Sequence, residues 1–107
     1  METIRVRLAI TGVVQGVGFR PFVYRTAKEF QLNGWVANDR SGVQAELEGA
    51  PTQVWSAVER IRSAPPPSAT IGELVAEQTA PKGYDKFEIV DSAVDSAEEV
   101  VGAAAAM

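Results

Sequence analysis

The chain has 107 residues, 46% apolar and 22% charged, which fits one globular domain and excludes a disordered segment or a coiled coil. It holds no cysteine and no histidine, so disulfide, thiolate and imidazole chemistry are excluded, and a reducing, cytoplasmic compartment is the expectation. The net charge of −4 comes from Asp91, Asp95, Glu98 and Glu99, which no base accompanies; the rest is neutral and a poor partner for nucleic acid.

Met1-Glu2-Thr3 lacks the basic start of a signal peptide, and no run approaches the ~18 apolar residues that span a bilayer, so no membrane is expected. Ile4, Val6, Leu8 and Ile10 alternate with Arg5, Arg7, Ala9 and Thr11, which predicts a half-buried strand over 4–11. A glycine-rich loop, Gly12 to Gly18, follows. Pro21 suits a first helical turn, and Val23, Ala27 and Phe30 recur at helical spacing with Phe22 beside them. Asn33-Gly34 reads as a left-handed stop to that helix. A hairpin comes next: 34–38 and 42–48 as strands, with Asn38 to Gly42 as turn chemistry.

Gly49-Ala50-Pro51 opens a second helix, with Val54, Val58 and Ile61 on one face and Trp55 adjacent. Pro65-Pro66-Pro67 ends it. Ile71, Leu74 and Ala76 allow a strand over 70–78, and Phe87 to Val90 form a last strand after a turn at Pro81-Lys82-Gly83. The simplest packing of this order is an α+β, ferredoxin-like split βαβ sandwich: an antiparallel sheet with both helices on one face. Residues 1–91 form the domain and 92–107 a flexible tail. One of the segments 71–78 and 86–91 is expected at a sheet edge, where aggregation starts. Trp35, Trp55 and Phe30 are expected in the core.

Gly12 to Arg20 carries the chemistry. A glycine-rich turn between a strand and a helix can gather backbone N–H groups and the helix dipole on one anion. Arg20 can grip two phosphoryl oxygens with its planar fork. As the residue before a proline it is expected to be extended, outside the helix. The spacing fits neither the Walker pattern nor the dinucleotide fingerprint, so a single phosphoryl group is the expected guest. Glycines here also serve as a plain tight turn beside a solvated arginine, and the residues alone leave that open.

Gly12-Val-Val-Gln-Gly-Val-Gly-Phe-Arg20, then Gly34-Trp-Val-Ala-Asn38 and Gly42, resembles the acylphosphatase signature in both halves, over about residues 4–91. The resemblance implies that Arg20 and Asn38 are catalytic, the arginine holding phosphate and the asparagine orienting water. Gln15, Gly16, Val17, Gly18, Phe19 and Arg20 then form the phosphate-binding cradle. It implies an acyl phosphate substrate, with no metal and no cofactor. Without it, Asn38 reads as a hairpin turn residue. Gln15 can equally face solvent, and Arg25 is either solvated or a second substrate contact.

Phe19-Arg20-Pro21-Phe22-Val23-Tyr24-Arg25 and Pro65-Pro66-Pro67-Ser68-Ala69-Thr70-Ile71 resemble the N-terminal domain of HypF-type carbamoyltransferases, which act in nickel–iron hydrogenase maturation. That implies carbamoyl phosphate as substrate and further domains as partners, the chain being either a segment of such a protein or a short relative. A non-catalytic module holding carbamoyl phosphate or phosphate is the alternative. An RNA-binding domain shares the element order, but Val43 to Glu48 offers acids and no aromatics where RNA would stack. A monomer is the default expectation.

Overall fold

The computed structural model describes residues 2–92. The elements run β1 (Ile4–Val13), α1 (Phe19–Glu29), β2 (Asn33–Asn38), β3 (Gly42–Gly49), α2 (Pro51–Ser63), β4 (Thr70–Thr79) and β5 (Phe87–Ser92). The strand alternation behind β1 and β3 is realised: Ile4, Val6, Leu8 and Ile10 are buried with Val43, Ala45 and Leu47. Val23 and Ala27 of α1 and Val54, Ala57, Val58 and Ile61 of α2 close the core on that face. Both helices therefore lie on one side of the sheet. The expected tail begins inside β5 at Ser92; its remainder, 93–107, lies outside the described residues.

The sheet order is β4-β1-β3-β2-β5. β1 pairs antiparallel with β3 and β4, and β2 antiparallel with β3, but β5 runs parallel to β2, so the sheet is mixed rather than wholly antiparallel. The cause is the β4–β5 connection. It crosses from one edge of the sheet to the other while staying at one end, where Arg5 Nε donates to Ala80 O (2.7 Å) and Gly34 N to Lys86 O (2.9 Å). A strand leaving that end must run with β2, which leaves it too. One of the segments 71–78 and 86–91 was expected at an edge; both are, as β4 and β5.

Three local expectations change. The stop of α1 is Gln31 at φ 61°, not Gly34: Gln31 N donates to Lys28 O (3.1 Å) and Leu32 N to Ala27 O (2.8 Å), the paired bonds of a Schellman ending. Gly34 (φ 138°) instead lets β2 approach β3, because a Cβ there would stand 1.9 Å from the Glu46 carbonyl oxygen. Trp55 is not core but 42% exposed on α2. Trp35 is half-buried on the helix-free face, its indole N–H donating to the Tyr84 hydroxyl (3.1 Å). Phe30 packs at the core margin beneath the Arg60 guanidinium, 5.2 Å from its ring centre.

The helix-free face is not simply solvated. Glu46 and Glu48 of β3 are both 4% exposed beneath the crossing connection. Glu46 takes Arg5 Nη1 at 2.8 Å and Arg7 Nε at 3.1 Å, together with the Tyr84 hydroxyl. Glu48 accepts the backbone N–H groups of Lys82, Gly83 (3.0 Å) and Tyr84 (2.6 Å). Burial works to raise the Glu48 carboxyl, but those three donors and the charge of Arg5 outweigh it and hold it below the usual glutamate value.

Candidate active site

The C-terminal ends of β1 and β2 lie at the same end of the sheet, on either side of β3. Ile10 and Asn38 both stand opposite Val43, so they are two strand spacings apart, ~10 Å. Asn38 has the parity of buried Val36 and faces the helix side. The β1–α1 loop begins directly after β1 on that side. Val14 and Phe19, each 1% exposed, pin its two ends into the core, and Val17 packs against the core between them. Both flanking strand pairs are irregular at this end, β1–β4 between Thr11 and Gly12 and β2–β5 between Ala37 and Asn38. Such shifts re-aim backbone and side chains.

Gly16 (φ 75°) and Gly18 (φ 79°) are left-handed, and a Cβ on either would meet nothing within 4 Å. Open space thus borders the loop at both glycines. Gly18 caps α1 with no side-chain hydrogen bond, and the first turn carries no acid. Among the described residues, the backbone N–H groups of Gln15 through Phe19 reach no protein acceptor. The first helical bond is Phe22 N to Gly18 O, at 3.2 Å. A helix start with free N–H groups, no capping side chain and no internal anion can receive an anion from outside.

Arg20 is wound into α1 rather than extended, contrary to expectation. Pro21 is the third residue of the helix, where its ring meets no helical carbonyl four residues back and its missing N–H would have had no partner. Burial of Phe19 then carries Arg20 into the first turn. Among the described residues Arg20 has no carboxylate partner, and the residue is partly exposed. Arg25 lies exposed further along α1, outside this first turn.

Asn38 closes β2, and the turn that follows does not use its side chain. Asp39 does that work: its carboxylate accepts Ser41 N (2.8 Å), Gly42 N (2.7 Å) and the Gln44 side-chain amide. Burial pushes the Asp39 carboxyl up, and the Gln44, Ser41 and Gly42 donors more than reverse it, so it sits below its usual value. The reading of Asn38 as a turn residue therefore finds no contact to support it. Asn38 Oδ1 is buried and, among the described residues, receives no hydrogen bond. A buried acceptor without a donor costs about 1–3 kcal/mol, so it stands ready for a donor from outside the protein.

Gln15 behaves differently from its neighbours. Its side-chain amide reaches across to the hairpin, Nε2 donating to Asp39 O at 2.6 Å and Gly42 O at 2.7 Å. Nothing in the periodicity of the sequence signals that contact. Among the described residues no group of three or more Asp and Glu side chains is placed to hold a metal ion. No helix among them is long and apolar enough to cross a membrane.

Comparison with known proteins bears on this geometry. The family model for acylphosphatase matches residues 6–89. The carbamoyltransferase HypF2 of Cupriavidus necator is 46% identical over 92 residues, 85% of this chain but 11% of that protein. The acylphosphatase of Syntrophotalea carbinolica is 38% identical over 90 residues, 83% of this chain and 98% of that protein. The crystal structure of full-length HypF in its phosphate- and nucleotide-bound form superposes with a TM-score of 0.83 at 36% identity, over 85% of this chain and 12% of that one. The chain thus spans about a ninth of the HypF relatives and nearly the full length of the free-standing one.

Proposed function

The chain belongs to the acylphosphatase family, and from that premise we propose that it hydrolyses acyl phosphates at the β1–α1 loop. The amides of Gln15, Gly16, Val17, Gly18 and Phe19, with the Arg20 guanidinium, bind the phosphoryl oxygens. The Asn38 side chain holds the attacking water. The observation that carries the reading is the buried Asn38 Oδ1 at the end of β2, unsatisfied among the described residues, beside a loop whose own N–H groups meet no acceptor among them.

The chemistry asks for little more. Water attacks phosphorus in line, the bond from phosphorus to the acyl oxygen breaks, its electron pair leaves on a carboxylate, and the water's protons remain on the oxygens of the product phosphate or pass to solvent. That leaving group is a weak base and needs no general acid. The charge gathering on the equatorial oxygens is met by fixed N–H dipoles and one guanidinium. Asn38 contributes position, because an amide oxygen can orient a water O–H without titrating near pH 7. A site without histidine is sufficient for this reaction.

Carbamoyl phosphate is the substrate we favour, and a larger carbamoyltransferase of hydrogenase maturation the setting. The 46% identity to HypF2 supports both. Since the chain spans only 11% of that protein, the second reading is a module that holds carbamoyl phosphate without turning it over. Hydrolysis of benzoyl and carbamoyl phosphate by the purified chain, without added metal, separates the two. Turnover that Arg20→Ala and Asn38→Ala each abolish supports the enzyme. An inert chain whose melting temperature still rises with phosphate supports the module. An inert chain that ignores phosphate overturns the site.

A further inference from the structure

The cradle and Asn38 belong to different units of the chain, the β1–α1 loop and the β2–β3 hairpin. A phosphoryl group held by one must meet a water held by the other with sub-ångström accuracy. The backbone pairing of β1, β3 and β2 fixes the strands, but the loop extends past the last paired residues. What ties it to the hairpin is Gln15. The side chain is exposed, yet it makes two short hydrogen bonds to the carbonyls of Asp39 and Gly42, at 2.6 and 2.7 Å. Both acceptors are carbonyl oxygens, which fixes the amide orientation: only Nε2, with its two hydrogens, can serve both. Asp39 follows Asn38 directly, and Asp39 N in turn donates to Gly42 O at 2.9 Å. Gln15 thus fastens the first residue of the cradle to the residue beside Asn38.

We infer that the Gln15 side chain is a positioning residue that sets the distance between the bound phosphoryl group and the water held by Asn38. It rests on the acylphosphatase reading and adds to it: the Gln15 backbone amide belongs to the cradle, whereas its side chain acts on the hairpin. The assignment separates two quantities. Loss of the clasp leaves the cradle amides and Arg20 in place, so phosphate affinity survives. It frees the hairpin tip to shift, so the step that needs water in line suffers.

The test uses Gln15→Met, which keeps length and shape without a donor, and Gln15→Ala as a second variant. Benzoyl phosphate turnover and competitive inhibition by inorganic phosphate are measured together. The expected result is a fall in kcat on the order of 10- to 100-fold, with the phosphate inhibition constant within about threefold of wild type. A rise in that constant parallel to the fall in kcat would make the side chain a phosphate ligand and overturn the inference. Unchanged kcat with only a lower Tm would make it a structural tie and overturn it equally. A second readout needs no turnover. In wild type, added phosphate shifts the NMR signals of the Gly16 and Gly18 amides and of the Asn38 side-chain amide. In Gln15→Met the glycine signals still respond and the Asn38 signal does not. If wild type is inert, the acylphosphatase reading fails, and the Asn38 response alone decides the clasp: its persistence in the variant sinks the inference.

Discussion

The β4–β5 connection and the β1–α1 loop are built alike, each a short run of backbone N–H groups around left-handed glycine. At Lys82, Gly83 (φ 83°) and Tyr84 the three N–H groups close on the Glu48 carboxylate, an anion from the chain itself. At Gln15 to Phe19, with Gly16 and Gly18 at φ 75° and 79°, the same backbone device has no internal anion among the described residues, and no acid stands in the first turn of α1. The first region lies over the helix-free face at one end of the sheet. The second is at the other end, on the helix side. The satisfied one holds the fold together; the unsatisfied one is where an outside anion has something to gain. A backbone nest is therefore not a functional site until its own protein has failed to fill it.

Substitutions can break that contrast. The largest effect is expected for Arg20→Ala, a loss of kcat/KM on the order of 10³-fold in a steady-state assay. Its Tm should move by less than about 4 °C, because among the described residues Arg20 makes no hydrogen bond or ion pair. Asn38→Ala should lower kcat on the order of 10²-fold and leave phosphate inhibition intact. Calorimetry should show no loss of Tm, since the variant removes a buried acceptor that has no donor among the described residues. Glu48→Ala should do the reverse. Three N–H groups lose their charged partner, at a cost of roughly 3 kcal/mol in urea unfolding, while kcat at 25 °C stays near wild type.

Smaller effects sharpen the comparison. Gly18→Ala and Gly83→Ala each force alanine into a left-handed backbone at a cost of about 1–2 kcal/mol. Phosphate affinity should change in Gly18→Ala alone; equal changes in both would abolish the distinction. The smallest effect is with pH. The Glu48 carboxyl is held below its ordinary value of 4.5 by the folded state. Its contribution is then complete above pH 4.5 and is lost as pH falls through the lower folded value. A Tm profile should be level from pH 6 to 5 and decline in that acid window, with a shallower decline in Glu48→Gln.

The sequence showed unevenly what the structure contains. The alternation of Ile4 to Ile10 and of Val43 to Leu47 names a buried face, and both strands are as expected. The same alternation places Glu46 and Glu48 on the opposite face but cannot say that residues 80–86 fold over it. The two acids on that face are thus buried and partnered, which the pattern alone does not show. The parallel β2–β5 pair was also hidden, because direction depends on where the connection crosses, not on the strand's own pattern. At the site, glycine spacing pointed to the loop, and resemblance pointed to Arg20 and Asn38. The helical state of Arg20 escaped because burial of Phe19 overrides a local preference. Gln15 was named for the cradle, but its side-chain contact with the hairpin escaped, because a contact over 24 and 27 positions leaves no trace in spacing.

The parallel run of β5 beside β2 has a consequence for attaching anything to this domain. Ser92 stands opposite Asn38, one strand spacing away, ~4.8 Å. Ile4 lies at the far end of β1, ten residues or ~30 Å from the loop. A reporter or surface anchor joined ahead of position 4 therefore hangs at the end of the sheet opposite the candidate site and leaves that site clear. One joined after position 92 begins at the rim of the opening, where a bulky passenger would shade it and a well-chosen one would become its wall.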